Sequence, residues 1–240
     1  MTTTTPTLTI VRSDERYCAD HGWLKTCYSF SFADYQDPNN LNWGALRVLN
    51  DDRIAGGEGF PPHPHRDMEI ITYVLSGDLE HQDSMGNRGV VGPGGVQYMS
   101  AGTGVRHAEY NHSKTEELHL VQMWVLPPKT GLPAQYGQRE FGVNDRLGRL
   151  FLVASGKPGA TASISLQQKA AFLVSRLEDG EAGYSFEGPR LGFLFIAEGE
   201  IVANGESLRT GDAVRMAGIP ALEVKGKGEL LLWDVPEAGS

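Results

Sequence analysis

The strongest constraint in this sequence is the shortness of its apolar runs. ALRVL (45–49), EIITYVL (69–75), VVGPGGVQYM (90–99), LHLVQMWVL (118–126), LGFLFIA (191–197) and ELLLWDV (229–235) are bounded by Gly, Asn, Asp and Pro. Short strand-like segments closed at regular intervals by turn residues describe a sandwich or barrel. Helix-period patterns are scarce, and the best candidate is GLPAQYGQREF (131–141). The expected fold class is all-β.

The pattern also repeats. YVLSGDLEHQDSMG (73–86) leads into GPGGVQYMSAG (92–102), and FIAEGEIVANGE (195–206) leads into RTGDAVRMAG (209–218). Each copy reads as a strand, a Gly-acid turn, a hairpin, a second Gly turn and a closing strand. Asn204-Gly205 is a type I′ hairpin signal, because both central residues of that turn need positive φ. A duplicated β-unit in a chain of 240 residues implies two β-domains of roughly 100 residues each. We expect them at 1–130 and 131–240, with the seam among Pro127, Pro128, Gly131 and Pro133. In such folds an N-terminal strand can complete the other barrel, which leaves those limits open. All seven histidines lie at or before position 119, so only the first domain is expected to bind a metal through imidazole.

A net charge of −9 and the lack of any basic run argue against a nucleic-acid partner, since phosphate contacts need clustered Lys and Arg. The start, MTTTTPTLTIV, has neither the basic nor the apolar region of a signal peptide. No stretch approaches the roughly 18 apolar residues of a spanning helix. No membrane is expected, and the cytoplasm is the expected location. There Cys18 and Cys27, the only cysteines, are expected as inert thiols, with a single disulfide as the alternative.

The chemistry concentrates in two segments. GFPPHPHRDMEIITYVLSG (59–77) carries His63 and His65 two apart, and SAGTGVRHAEYN (100–111) carries His107 and Glu109 at the same spacing. Side chains alternate along a strand, so each pair points to one face of its own strand. Extending the first phase puts Glu69, Ile71 and Tyr73 on the face of His63 and His65. Pro61, Pro62 and Pro64 stiffen the first pair, and Gly102 and Gly104 allow a tight turn before the second. Inside a barrel the two pairs can converge as three imidazoles and one carboxylate. His81 and Asp83 fall in the following hairpin and are read as turn residues; His112 and His119 are read as surface or packing residues. Phe60 fits a pocket mouth or simple core equally well. Gly92-Pro93-Gly94-Gly95 lacks the Lys-Ser/Thr and the helix of a phosphate loop.

His63-Pro64-His65 with Glu69 and Gly77, then Gly104 and His107, resembles the two motifs of the cupin superfamily. SFSFADY (29–35), HPHRDMEIITYVLSGDLEHQDSMGN (63–87), GGVQYMSAGTGVRHAEYN (94–111) and LVQMWVLP (120–127) resemble the pirin family over nearly the whole chain. The resemblance implies two jelly-roll-like cupin barrels in tandem, with one metal ion in the first. It implies His63, His65, His107 and Glu109 as ligands. Ordinary cupins use the glutamate at the position of Glu69 instead, which would otherwise be a partner behind the ligands or a buried hydrogen-bonded group.

A site of three imidazoles and one carboxylate, with no thiolate, suits a first-row divalent ion: Fe(II) first, with Ni, Mn, Co or Cu as alternatives. The resemblance implies a quercetin 2,3-dioxygenase that opens a flavonol with O2 and releases carbon monoxide, Glu109 taking the proton of the chelating hydroxyl. It equally admits a non-enzymatic, metal-dependent regulator that binds protein partners, like eukaryotic pirins. A metal-assisted isomerisation or hydrolysis is the third reading.

Overall fold

In the computed structural model, which describes residues 5–238, the turn signals of the sequence separate nineteen strands. In chain order they begin β1 (Thr7–Val11), β2 (Tyr17–Asp20), β3 (Leu24–Tyr28), β4 (Leu46–Ile54), β5 (Gly59–His65) and β6 (Glu69–Ser76). There follow β7 (Leu79–Asp83), β8 (Arg88–Val91), β9 (Val96–Ser100), β10 (Val105–Asn111), β11 (Leu118–Val125) and β12 (Gln135–Arg139). A single-turn helix, α1 (Val143–Arg146), precedes β13 (Phe151–Ser155), β14 (Ile164–Ser165), β15 (Ala171–Ser185) and β16 (Leu191–Ala203). The last three are β17 (Glu206–Arg209), β18 (Ala213–Ala217) and β19 (Ala221–Val235).

The described residues form two compact units. One consists of Tyr17–Asn42 and Leu46–Phe141; the other holds the chain from Gly142 onward together with 43–45 and the described residues up to Arg16. The first unit runs past the proline cluster near 130 because β12 adds to the sheet edge at β9. The N-terminal strand belongs to the second unit because β1 pairs with β18 from Thr7↔Ala217 to Val11↔Ala213. Arg12 then ties that strand down: its guanidinium donates to Asp212 at 2.9 Å, and the same carboxylate accepts the Ser13 backbone N–H. These donors outweigh burial and hold the Asp212 carboxyl below its ordinary range.

The first unit is a sandwich of a seven-stranded sheet, ordered β12-β9-β6-β11-β4-β3-β2, and a four-stranded sheet, ordered β5-β10-β7-β8. The prolines of β5 are tolerated because that strand lies at a sheet edge, where a missing N–H breaks no ladder. Leu24, Ile54, Val74, Leu118 and Leu120 make one apolar cluster of its interior, and Ile70, Met99 and Val105 make another. Between them a row of polar side chains crosses the large sheet in register: Tyr28 opposite Asn50, Asn50 opposite Gln122, Gln122 opposite Thr72, and Thr72 opposite Gln97. The last four are no more than 9% exposed. A buried polar band on a core-facing sheet is costly unless its groups are used, and it marks where the site lies.

The second unit is an eight-stranded sheet built on three long strands, β15, β16 and β19, which pair along most of their length. Bulges at Leu177/Gly180 and Ile196/Glu198 bend them, so that one strand can serve both layers. The repeat read from the sequence is present in the hydrogen bonds. Val74 N–H donates to the Gly95 carbonyl and Gly94 N–H to that of Val74; Ile196 and Gly211 donate in the same way, to Asp212 and Ile196. Asn204 (φ 46°) and Gly205 (φ 89°) close the β16–β17 hairpin with two positive φ values, as a type I′ turn requires.

Two expectations fail. Residues 131–141 hold no helix: Gln135–Arg139 is β12, and its spacing of apolar groups is set by pairing with β9. Cys18 and Cys27 are not thiols. They face each other across the β2–β3 ladder and are joined as a disulfide that closes a loop of sequence separation 9. Such a loop restricts the unfolded chain enough to be worth about 2.5 kcal/mol. Replacing both cysteines by serine is therefore expected to lower the unfolding free energy from denaturant titration by that amount, and thiol titration without reductant is expected to find no free thiol.

Candidate metal centre

His63 and His65 lie on β5, and His107 and Glu109 on its antiparallel neighbour β10, with His107 directly opposite His63. The three imidazoles form a nearly equilateral triangle. Their ring centroids are 4.5, 4.8 and 4.9 Å apart, with planes inclined by 53° to 82°. The ligand atoms of His63, His65 and His107 lie within 4.8 Å of one another, and a second set of the same spacing joins His107 to Glu109 and His81. His107 is common to both.

The hydrogen bonds fit this donor set to a cation. His63 Nδ1 lies 2.8 Å from the Pro61 carbonyl; a carbonyl only accepts, so that nitrogen carries the proton and Nε2 keeps its lone pair. Both ring nitrogens of His107 are buried without a hydrogen-bond partner, an arrangement that costs free energy unless something fills the gap. Glu109 accepts from Gln97 Nε2 at 2.6 Å on one oxygen and from Gln122 Nε2 at 2.8 Å on the other. Trp124 Nε1–H, a donor only, points at Gln122 Oε1 at 3.1 Å. It thereby fixes which end of the amide meets the carboxylate. Each oxygen of Glu109 keeps a further acceptor position for a ligand.

Glu69 lies elsewhere. The turn at Arg66–Met68, with Asp67 at φ 49°, breaks the phase between β5 and β6, which belong to different sheets. Thr72, in register with Gln97 and Gln122, faces the site; Glu69, Ile71 and Tyr73 alternate with it and face the other way. The expected common face of His63, His65, Glu69, Ile71 and Tyr73 is thus corrected. Glu69 is fully buried and accepts the Tyr98 hydroxyl at 2.7 Å. Burial, and then the Glu69 charge, push that phenol well above its ordinary pKa.

His81 has a larger part than the turn role read from the sequence. Asp83 holds the turn, accepting from the backbone of Met85 and Asn87 and from the Asn87 side chain. His81 is buried opposite Glu109, stacks on Tyr136 at 4.5 Å, and reaches Asp83 Oδ2 through Nε2 at 3.2 Å. Its Nδ1 has no hydrogen-bond partner. Gln97 and Gln122 were likewise not assigned a role from the sequence; the signal they offered is a lone polar residue inside an apolar strand. His112 is half-exposed beside Glu80, and His119 is buried against Asp51 at 2.7 Å.

A cavity of about 410 Å³ opens against His63, His65 and Glu109. Phe60 does line it, edge-to-face on Trp23 at 5.2 Å, and Phe32 meets Trp124 edge-to-face at 5.3 Å. A larger groove in the second unit, about 1090 Å³, is bordered by Arg12, Glu181, Glu200, Arg209 and Lys225 and has no histidine or cysteine in its lining. The histidine cluster borders the smaller cavity.

Burial, and after it the neighbouring imidazolium charges, lower His65 to about 4 and His107 to about 3. Both rings are therefore neutral at pH 7, the form a metal needs. In the unfolded chain they take up protons near pH 6.5. The stability they contribute to the metal-free protein is complete above that pH and is lost as the pH falls towards 4 and 3. The melting temperature of metal-free protein is expected to fall between pH 6.5 and 4.5, and His107→Leu is expected to flatten part of that fall.

Residues 11–125 match the family model described as Pirin, and residues 152–235 that described as Quercetinase C-terminal cupin domain. The chain is 40% identical over 227 residues to the quercetin 2,3-dioxygenase of Escherichia coli K12, covering 94% of this chain and 97% of that one. It is 44% identical over 219 residues to a pirin-like protein of Caulobacter vibrioides, covering 90% and 94%. The crystal structure of the bacterial pirin YhhW of Escherichia coli in complex with nickel(II) superposes with a TM-score of 0.88 at 39% identity, covering 97% of this chain and all of that one. The chain belongs to the pirin family and has a tandem cupin fold.

Proposed function

We propose that this protein is a metal-dependent dioxygenase that opens a flavonol such as quercetin with O2, the ion being held by His63, His65, His107 and Glu109. The observation that carries the reading is the triangle of His63, His65 and His107, joined through His107 to the amide-braced Glu109, beside an aromatic-lined cavity bordered by His63, His65 and Glu109. Fe(II) is the ion of this reading, and Ni, Mn, Co and Cu suit the same nitrogen and oxygen donors. A relative named quercetin 2,3-dioxygenase and a relative crystallised with nickel(II) support it. A purely structural or regulatory metal would need no cavity of 410 Å³ beside its ligands. The working partners in this reading are a flavonol and O2, in the cytoplasm.

A divalent ion bound here would lower the pKa of a chelating hydroxyl and supply the redox chemistry for O2. The chain supplies the rest. His63 is held by the Pro61 carbonyl with its free nitrogen inward, so little side-chain freedom remains to be lost. Glu109 would help hold the ion and, bordering the cavity, would accept the proton of a substrate hydroxyl, while Gln97 and Gln122 hold the carboxylate in place. Trp23, Phe60, Phe32 and Trp124 wall the cavity with ring surface suited to a flat aromatic substrate. Flavonol and O2 then yield carbon monoxide and the ring-opened ester.

Quercetin consumption, followed by absorbance in protein loaded with Fe, Ni, Mn, Co or Cu, tests the proposal. Turnover is expected to require both metal and O2 and to vanish in His63→Ala. No turnover with any metal, in protein shown to contain one, would sink the assignment. Glu109→Gln is expected to lose turnover by more than tenfold while retaining part of the metal. Gln122→Leu, which removes one brace from Glu109, is expected to weaken metal binding by roughly 10- to 100-fold, measured by competition with a chelator.

A further inference from the structure

The polar band does not end at the imidazoles. One step along β4 from Asn50 on the same face, Asp52 stands opposite Thr26 on β3 and Leu120 on β11. Beyond it the face becomes apolar, with Leu24, Ile54 and Leu118. Asp52 is 3% exposed, and it borders the same cavity as His63, His65 and Glu109. So do Thr26, Tyr28 and Asn50. The Asn50 Oδ1 is buried without a hydrogen-bond partner. Burial, and then the Asp52 charge, push the Tyr28 hydroxyl above its ordinary pKa, so it stays a donor. The polar lining of the cavity thus extends past the imidazoles to Asp52. Strand spacing of about 4.8 Å and a rise of about 3.4 Å per residue put the backbone of Asp52 roughly 8 Å from that of Gln122.

We propose that Asp52, with Asn50 beside it, forms a second binding subsite for the phenolic hydroxyls of a substrate whose chelating group sits at the imidazoles. This inference rests on reading the cavity as the substrate site. A buried carboxylate selects hydrogen-bond donors and repels carboxylates and phosphates. The aromatic walls select a flat π-system. A substrate that chelates at the imidazoles and carries further phenolic hydroxyls is then held at two places along the same cavity lining.

Binding without O2, followed by absorbance titration of the nickel-loaded protein, separates this subsite from the reaction. Quercetin is compared with 3-hydroxyflavone, which keeps the chelating hydroxyl and ketone and lacks every other hydroxyl. The parent protein is expected to bind quercetin at least tenfold more tightly, the worth of about one hydrogen bond to a charged group. Asp52→Asn is expected to remove most of that preference by weakening quercetin alone, with its melting temperature as a check on folding. Equal affinity of the parent for the two flavonols overturns the proposal without any variant. So does a folded Asp52→Asn protein that loses both ligands equally, or neither. If the preference is present but neither flavonol is consumed when O2 is admitted to protein loaded with Fe, Ni, Mn, Co or Cu in turn, the subsite stands and the dioxygenase reading falls.

Discussion

Everything at this centre depends on satisfying polar groups in an interior that excludes water. One carboxylate and several imidazoles share a small space between two sheets, and each would cost a few kcal/mol if left without a partner. The solution is a chain of directional bonds. Trp124 orients Gln122, Gln122 and Gln97 brace Glu109, and the Pro61 carbonyl fixes the His63 tautomer. Asp83 does the same for His81, while its own turn pins Asp83. All of this rests on register. Gln97, Thr72, Gln122 and Asn50 sit on four neighbouring strands and meet only because those strands pair as they do. A slip of one residue in any of them would turn its polar group to the opposite face.

The meeting of the two His- and Glu-bearing pairs was legible in the sequence because its signal is local. Two histidines, or a histidine and a glutamate, two residues apart on a strand must share a face whatever the strand pairs with. The hairpin at Asn204-Gly205 and the duplicated turns were legible for the same reason, since Gly77 and Gly199 stand at matching places and both need positive φ. What could not be read was non-local. Gln97 and Gln122 lie 25 positions apart in the chain, and their joint hold on Glu109 exists only through β6 between them. Glu69 was put on the wrong face by carrying one alternation through Arg66–Met68, where the chain turns from one sheet into the other. The helix expected at 131–141 failed because the apolar pattern there answers to β9, and no local rule contains β9. The disulfide was placed second to free thiols because a prior on cellular location was set against a cross-strand pair whose opposition only the β2–β3 register reveals.

The second unit shows what the first gives up to hold its centre. Aligning the copies at Gly77 and Gly199 sets Ala203 at the place of His81. The cross-strand partners then set Val224 at the place of Glu109, Leu222 at that of His107 and Tyr184 at that of His63. Ala203, Leu222 and Val224 belong to one continuous apolar cluster, with Tyr184 packed against it. The same strands at the same register can therefore be filled with hydrocarbon, which gains roughly 25 cal/mol for each Å² withdrawn from water and needs no orienting bonds. In the first unit that gain is forgone across the whole polar band, from Gln97 on one side to Asp52 on the other. A fold that closes on an apolar core in one unit keeps this band in the other, and the band extends past the three imidazoles and one carboxylate at its centre to Asp52.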